Sequence, residues 1–462
     1  MIHLSIRKRA GIIMDLPIAF IEKMKNLLGS ESDDFFASLE EPSKKAITVN
    51  FSRIDQQTFE QLADFAHSPI DMVSNGYYTE GLKFNEHKLN HLGIIYSQEP
   101  SAMLPVEMLD IEPNDYVLDI SAAPGGKSIQ ILEKLQGTGF LLSNEIVYNR
   151  AKILYENLTK LGFKNFAITN NSPADFEKTN LLFDKILVDA PCGGEGMIRK
   201  NNFDMESFSL SNIETNAKRQ LSILNSIKGL LKHGGKLVYS TCTYDIKENE
   251  GVIVEFLSQN PDFKLVKPDS NFDRVCIDGI KLDNYNTHFS KRRYPHLHDG
   301  EGQFMAILQK DGDEELDTEN LEMNNITPVY RKDLHDIERN IKGIVDIKGL
   351  NLFKRNETIF VVPDTNLNFG KLNIVSIGTV FGNLSKTDFK INHNFYHTYP
   401  DRFVNKYDLD DMQIKKYLHG EEVDISEDIS GIVAVTYKGI GLGGGKAVKG
   451  RLKNYYPKEL RI

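Results

Sequence analysis

The chain has 462 residues, 40% hydrophobic and 26% charged, with a formal net charge of −10 and three cysteines. That length suggests roughly two to four domains, and the composition excludes collagen-like, disulfide-scaffold and disordered classes. No apolar run approaches the ~18 residues of a membrane-spanning helix, and Asp15 and Pro17 interrupt the apolar stretch behind the basic start Arg7-Lys8-Arg9, which makes a poor secretory signal.

Cys192, Cys242 and Cys276 in so long a chain point to a reducing compartment, the cytosol. Met14 is a candidate initiator, because Asp15-Leu16-Pro17 reads as the beginning of a structured segment. The net acidity is unevenly spread. Between Asp311 and Glu322 the acids occur without one Lys or Arg, whereas Lys438, Lys446, Lys449, Arg451, Lys453, Lys458 and Arg461 face only Glu459 near the end. A second basic knot is Lys291-Arg292-Arg293. Any RNA contact is therefore expected to be local.

Along the chain, residues 1–95 read as a small α+β unit: Phe20, Ile21, Met24, Leu27 and Leu28 fall at helical steps, and Ala46–Asn50 reads as a strand. Residues 96–310 alternate short strands with amphipathic helices. The expected strands are Tyr116–Ile120, Phe140–Ser143, Phe166–Thr169, Ile186–Val188 and Leu237–Tyr239, with helices over 127–135, 147–161, 212–231 and 247–258. This pattern predicts an α/β fold, a Rossmann-like, doubly wound and mainly parallel sheet. An acidic linker, 311–325, precedes a β-rich region, 326–462, with a Gly-rich end.

In such a sheet ligands bind outside the carboxyl ends of the strands. The first strand runs into Ser121-Ala122-Ala123-Pro124-Gly125-Gly126-Lys127, where small residues let a ligand approach the backbone and a helix start offers free N–H groups. Asp119 before the loop suits an ammonium or sulfonium better than a bare phosphate. A Walker A loop would need Gly where Ser121 stands, so a P-loop ATPase is disfavoured, and no G-x-G-x-x-G is present. Glu145 ends the second strand, where a ribose diol is held in nucleoside-binding sheets.

The fourth and fifth strands run into Asp189-Ala190-Pro191-Cys192-Gly193-Gly194-Glu195-Gly196 and Tyr239-Ser240-Thr241-Cys242-Thr243. Two cysteines thus end strands at the ligand-binding edge. Metal binding lacks a C-x-x-C or a His/Cys pair, a disulfide would be unusual in the cytosol, and nucleophilic use fits a loop mouth best. Cys276 lacks this context and reads as structural, and His296 and His298 lack the third partner a metal site needs.

These segments resemble the motifs of the Nop/Sun family of RNA cytosine-5 methyltransferases: the loop Ala122–Lys127, Asp189–Gly196 and Tyr239–Thr243. Tyr96–Pro105, Arg293-Tyr294-Pro295-His296, Gly300–Phe304 and the ending Gly441–Lys458 also resemble it. The likeness runs from Leu16 onward and is greatest to a bacterial branch that modifies 16S ribosomal RNA and carries a C-terminal PUA-like extension. The resemblance implies an auxiliary RNA-binding domain over 1–95, a catalytic domain over 96–310 and a PUA-like RNA-binding domain over 326–462. It implies S-adenosyl-L-methionine as cofactor and RNA, 16S rRNA or the 30S subunit, as partner, with no membrane and no metal; a monomer is assumed.

By the same resemblance Cys242 is the nucleophile, Cys192 assists release, Asp189 reads the polar edge of the flipped cytosine, and Lys127 favours a thiolate at Cys242. The cofactor is expected to contact Ser121, Ala122, Ala123, Pro124, Gly125, Gly126, Lys127, Glu145, Arg150 and Asp189. The third strand end lacks the Asp with which the family often meets adenine, and Asn171 or Ser172 stands there instead; Ser121 stands where many members place Cys. Tyr437, Tyr455 and Tyr456 among the terminal basic residues are expected to contact phosphate or base. A non-catalytic ribosome-assembly factor on the same fold would have no need of two thiols at strand ends, and tRNA is the alternative substrate.

Overall fold

The computed structural model describes residues 3–7, 13–200, 210–282, 285–312, 323, 326–365, 367–386 and 388–462. Most of the expected acidic linker, 313–322 and 324–325, lies outside the described residues.

The central sheet contains β1 Tyr116–Asp119, β2 Phe140–Asn144, β3 Phe166–Thr169, β4 Phe183–Asp189, β5 Leu231–Thr241, β6 Phe263–Val266, β7 Ile277–Asp278, β8 Lys291–Arg293, β9 Gln303–Lys310 and β10 Ile374–Ile377. Its order is β7-β8-β9-β5-β4-β1-β2-β3-β10, with β6 paired to β9. The five strands from β5 to β3 are parallel; β9 joins antiparallel to β5, and β10 antiparallel to β3. The chain order reverses between β1 and β4, so a crevice opens at their carboxyl ends.

Alternation of side chains explains the two layers. Leu118, Phe140, Ile186 and Leu237 face one core with helices α3 Leu210–Ile227 and α4 Glu250–Gln259. Their strand neighbours Val117, Leu141, Leu187 and Val238 face the other, with α1 Gly126–Lys134 and α2 Tyr148–Lys160. Helix α3 ends at Ile227, earlier than the expected 231, and β5 is longer than the expected Leu237–Tyr239 because its start at Leu231 pairs with Phe183 of β4.

Ahead of this sheet, helix Ile18–Leu28 buries Phe20, Ile21 and Met24, and a four-stranded antiparallel sheet includes Ala46–Val49 as expected. The span after 326 holds two further sheets, one from Thr327–Pro328 to Asp388–Ile391 and one over Lys406–Asn454. The last of these shares a core with the N-terminal unit: Ile47, Phe59, Leu89 and Ile94 pack with Tyr417, Val433, Leu442 and Tyr456. Arg53 joins them, donating from Nη2 to the carbonyl of Gly441 at 2.9 Å and of His397 at 3.2 Å.

Two basic or aromatic clusters sit differently from the sequence reading. The knot Lys291-Arg292-Arg293 is buried: it is strand β8, 1%, 2% and 5% exposed. Arg292 pairs with buried Glu250, and Arg293 donates to the carbonyls of Val275 and Asp299. Tyr437 and Tyr456 are buried as well, leaving Tyr455 exposed. The glycines between Gly441 and Gly445 accommodate the protein's own rings: a Cβ on Gly444 would lie 2.6 Å from Tyr396.

Candidate active site

Strand β1 delivers Asp119, 1% exposed, whose Oδ2 accepts from Ser128 Oγ at 2.7 Å while Oδ1 has no hydrogen-bond partner. Burial pushes this carboxyl up to about 7, against the hydrogen bond from Ser128. The loop from Ser121 to Gly125 follows, with a cis peptide bond at Ala123-Pro124. Gly125 has φ +117°, and a Cβ there would press on Leu154 Cδ1 at 3.0 Å, so the turn into α1 needs glycine. Helix α2 braces the loop from behind: Arg150 Nη2 donates to the Ala123 carbonyl at 2.6 Å and Asn157 Nδ2 to the Pro124 carbonyl at 2.7 Å.

Glu145, 2% exposed, turns its Oε1 onto the Val147 N–H at 2.9 Å, and its Oε2 lies 3.3 Å from Arg150 Nη1. Arg150 therefore links the two loops that were expected to meet the cofactor. At the third strand end, Asn171 Oδ1 accepts from the Asn373 N–H at 3.0 Å, and Ser172 caps a short helix by accepting from Ala174 N–H at 3.2 Å. Both side-chain oxygens thus have partners within the protein.

Across the crevice, Lys127 Nζ meets Asp189 Oδ2 at 2.7 Å, and Ser240 Oγ donates to Asp189 Oδ1 at 2.8 Å. Burial alone would lower the Lys127 ammonium; Asp189, with Asp119 and Cys242, reverses that and holds it above its ordinary range. The register that puts Asp189 opposite Ser240 also brings the two following loops together. Cys192 Sγ and Cys242 Sγ are 3.4 Å apart, both half-buried and free. The contact with Cys242, and then burial, push the Cys192 thiol well up. Gly196 N–H donates to the Cys242 carbonyl at 2.7 Å, and a Cβ on Gly196 would lie 2.7 Å from that oxygen. The glycine lets the two loops touch.

The structure thus gathers Lys127, Asp189, Cys192 and Cys242 at one point and the 121–127 loop, Glu145 and Arg150 beside it. Four supporting residues were missed. Glu195, 1% exposed, accepts from Thr243 Oγ1 and the Tyr244 N–H, each at 3.0 Å, and pairs with Lys23 of the N-terminal helix. Glu248 and Gln220 hold the turn at Cys192. Glu195 lay inside a quoted motif, and Glu248 in Glu248-Asn249-Glu250 just past Cys242; the others carried no sequence signal. Cys276 is 3% exposed, its thiol raised to about 11 by burial, in keeping with a structural place. His296 packs on Phe35 and meets Glu31 at 3.2 Å. Among the described residues no group of three or more His, Cys, Asp or Glu could hold a metal ion.

A doubly wound sheet with a Gly-rich first loop and an acid at the second strand end is a frame that binds nucleoside-containing cofactors, and the family match of the same residues makes this one a methyltransferase. Residues 106–309 match the family described as 16S rRNA methyltransferase RsmB/F. Residues 16–100 match the N-terminal domain of 16S rRNA methyltransferase RsmF, and 404–462 the methyltransferase RsmF PUA domain. The ribosomal RNA small subunit methyltransferase F of Psychromonas ingrahamii is 31% identical over 96% of this chain and 97% of its own length. That of Shewanella oneidensis is 30% identical over 93% of each. A methyltransferase homolog protein from Pyrococcus horikoshii, 27% identical, superposes with a TM-score of 0.57 over 64% of this chain and 95% of its own. The chain belongs to the RsmF family of small-subunit ribosomal RNA methyltransferases.

Proposed function

We propose that this enzyme methylates C5 of a cytidine in 16S rRNA, through a covalent bond between Cys242 and C6 of the base. The observation that carries the reading is the 3.4 Å contact of two free thiols at the ends of adjoining strands, beside the Lys127–Asp189 pair. C5 of cytosine is a poor nucleophile. Addition of a Cys242 thiolate to C6 turns C5 into an enamine carbon, splitting one difficult substitution into easier steps.

S-adenosyl-L-methionine, when bound, supplies an electrophilic methyl group on a sulfonium. The residues present fit it: Asp119 Oδ1 is a buried acceptor without a partner, the 121–127 loop opens a helix start, and Glu145 is a buried acid where a ribose diol is held. In this reading Lys127, charged beside Cys242, supports the nucleophile with its positive charge. Asp189, fixed from both sides by Lys127 and Ser240, reads the polar edge of the base. In the release step the C5 proton leaves to solvent, the ring double bond re-forms, and the C6–S bond breaks. Cys192, held as a thiol, donates to the departing Cys242 sulfur.

The base must be drawn out of its RNA context to reach this crevice, at a cost of a few kcal/mol. A basic hairpin near the C-terminus suits the flanking phosphates: Lys446 lies opposite Lys453 in the register, both exposed. Like charges so placed repel unless an anion meets them. The described residues hold no helix long and apolar enough to cross a membrane, and a reducing cytosol keeps the paired thiols free.

The test is transfer of labelled methyl from S-adenosyl-L-methionine to 16S RNA and, separately, to 30S subunits. Label at cytidine C5 with wild type and none with Cys242→Ala is expected. Activity surviving in Cys242→Ala overturns the assignment.

A further inference from the structure

Behind the turn that carries Cys192 lies a carboxyl group with no part in the scheme above. Glu248 is 0% exposed, between Cys242 and helix α4. Its Oε2 accepts from the Gly193 N–H at 3.0 Å and from Gln220 Nε2 at 2.8 Å. The same Gln220 nitrogen donates to the Pro191 carbonyl at 3.0 Å. One carboxylate oxygen therefore holds both flanks of Pro191-Cys192-Gly193. Glu248 is itself tethered to β5, since Tyr239 Oη donates to its backbone carbonyl at 2.6 Å.

The second oxygen, Oε1, is buried without a hydrogen-bond partner. A Cβ on Gly193 would stand 3.0 Å from it, so the turn lies directly on the carboxyl. A buried oxygen left without a hydrogen bond carries a desolvation cost. Burial pushes this carboxyl up to about 7, with Glu195 and Asp245 adding to the effect and Gln220 and Gly193 opposing it.

We infer that Glu248 is a positioning residue for Cys192: it fixes the Pro191–Gly193 turn so that the Cys192 thiol stays on the Cys242 sulfur, and release of the methylated base depends on it. This rests on the two-thiol reading above. Glu248 acts through the turn and does not touch the substrate. Because its working atom is a hydrogen-bond acceptor, an amide oxygen in the same place serves nearly as well.

The experiment compares wild type, Cys192→Ala, Glu248→Ala, Glu248→Gln and Gln220→Ala as full chains with 16S RNA. Single-turnover methyl transfer is read separately from release, the latter on denaturing gels that retain covalent protein–RNA complexes, and thermal unfolding checks each fold. Misplacing a reacting group by about 1 Å costs on the order of 100-fold. Glu248→Ala is expected to slow release by about that factor and the first methyl transfer far less, leaving a trapped complex like that of Cys192→Ala. Gln220→Ala shows the same pattern more weakly, and Glu248→Gln restores release to within a few-fold of wild type. Equal loss of both steps in Glu248→Ala, or no rescue by Glu248→Gln, overturns the inference, as does release at the wild-type rate. If Glu248→Ala and Gln220→Ala do not fold, Glu248→Gln decides: trapping as strong as in Cys192→Ala overturns the role, and near-normal release supports it. If Cys192→Ala itself traps nothing, the two-thiol reading falls and takes this role with it; if it traps and Glu248→Ala does not, only the role of Glu248 is lost.

Discussion

Cys192 Sγ lies 3.4 Å from Cys242 Sγ although 50 residues separate them in the chain. Parallel pairing of β4 with β5 sets Asp189 opposite Ser240, and the thiols follow in the loops just beyond. Gly196 closes the gap with its 2.7 Å hydrogen bond to the Cys242 carbonyl.

In the proposed mechanism Lys127 carries the positive charge beside Cys242. Replacing it with Met removes that charge and leaves Asp189 bound only by Ser240. First-turnover methyl transfer in Lys127→Met is expected to fall by at least about 100-fold, while binding of RNA changes little. A rapid-quench measurement reads this directly; loss below about threefold would mean that Lys127 contributes nothing to the chemistry.

Asp119 makes stability depend on pH. Its carboxyl rises from the ordinary 3.8 to about 7 in the folded protein. The folded state therefore keeps a proton that the unfolded chain has lost. The associated stability is full below about pH 4 and disappears as the pH rises through about 7. Asp119→Asn removes this slope and is expected to be more stable than wild type at pH 8, by up to about 4 kcal/mol. Urea unfolding of both proteins at pH 5 and pH 8 measures it; parallel pH profiles contradict it.

Lys23 ties the N-terminal helix to both catalytic loops. It pairs with Glu195 and lies 3.1 Å from Asp245, whose side chains are 1% and 8% exposed. Lys23→Ala leaves two buried carboxylates without their cation, and removing one partner of such a cluster costs about 3 kcal/mol. The drop is expected in chemical denaturation, together with slower turnover, because Glu195 also holds Thr243 and Tyr244. Unchanged stability would show that the N-terminal unit is not locked to the site.

The Lys446/Lys453 pair offers a test that leaves the crevice untouched. Reversing both charges to Glu is expected to weaken RNA binding and to lower the salt slope of log K by between about 1 and 2. Single-turnover transfer at saturating RNA stays the same. An unaltered salt slope would place the phosphate contacts elsewhere.

Much of the fold was legible in the sequence, because strands such as Tyr116–Asp119 and Phe166–Thr169 are short apolar runs bounded by turn residues. The structure brings Lys127, Asp189, Cys192 and Cys242 together from motifs that are each contiguous in the sequence. What composition could not reveal was partnership across the chain. Arg292 reads as surface charge until Glu250 is found beside it. Tyr437 and Tyr456 read as RNA-facing until the N-terminal sheet covers them. Strand β10 reads as part of the C-terminal unit, yet pairs with β3 at the edge of the catalytic sheet. Burial by a distant segment leaves no local pattern.

The division of labour between the thiols is tested most directly by mass spectrometry of the protein–RNA complex trapped with Cys192→Ala after digestion by protease and nuclease. The account predicts a methylated cytidine nucleotide joined to the peptide containing Cys242, and no such adduct in the Cys192→Ala/Cys242→Ala double variant. An adduct on any other residue, or an adduct that persists without Cys242, would contradict it.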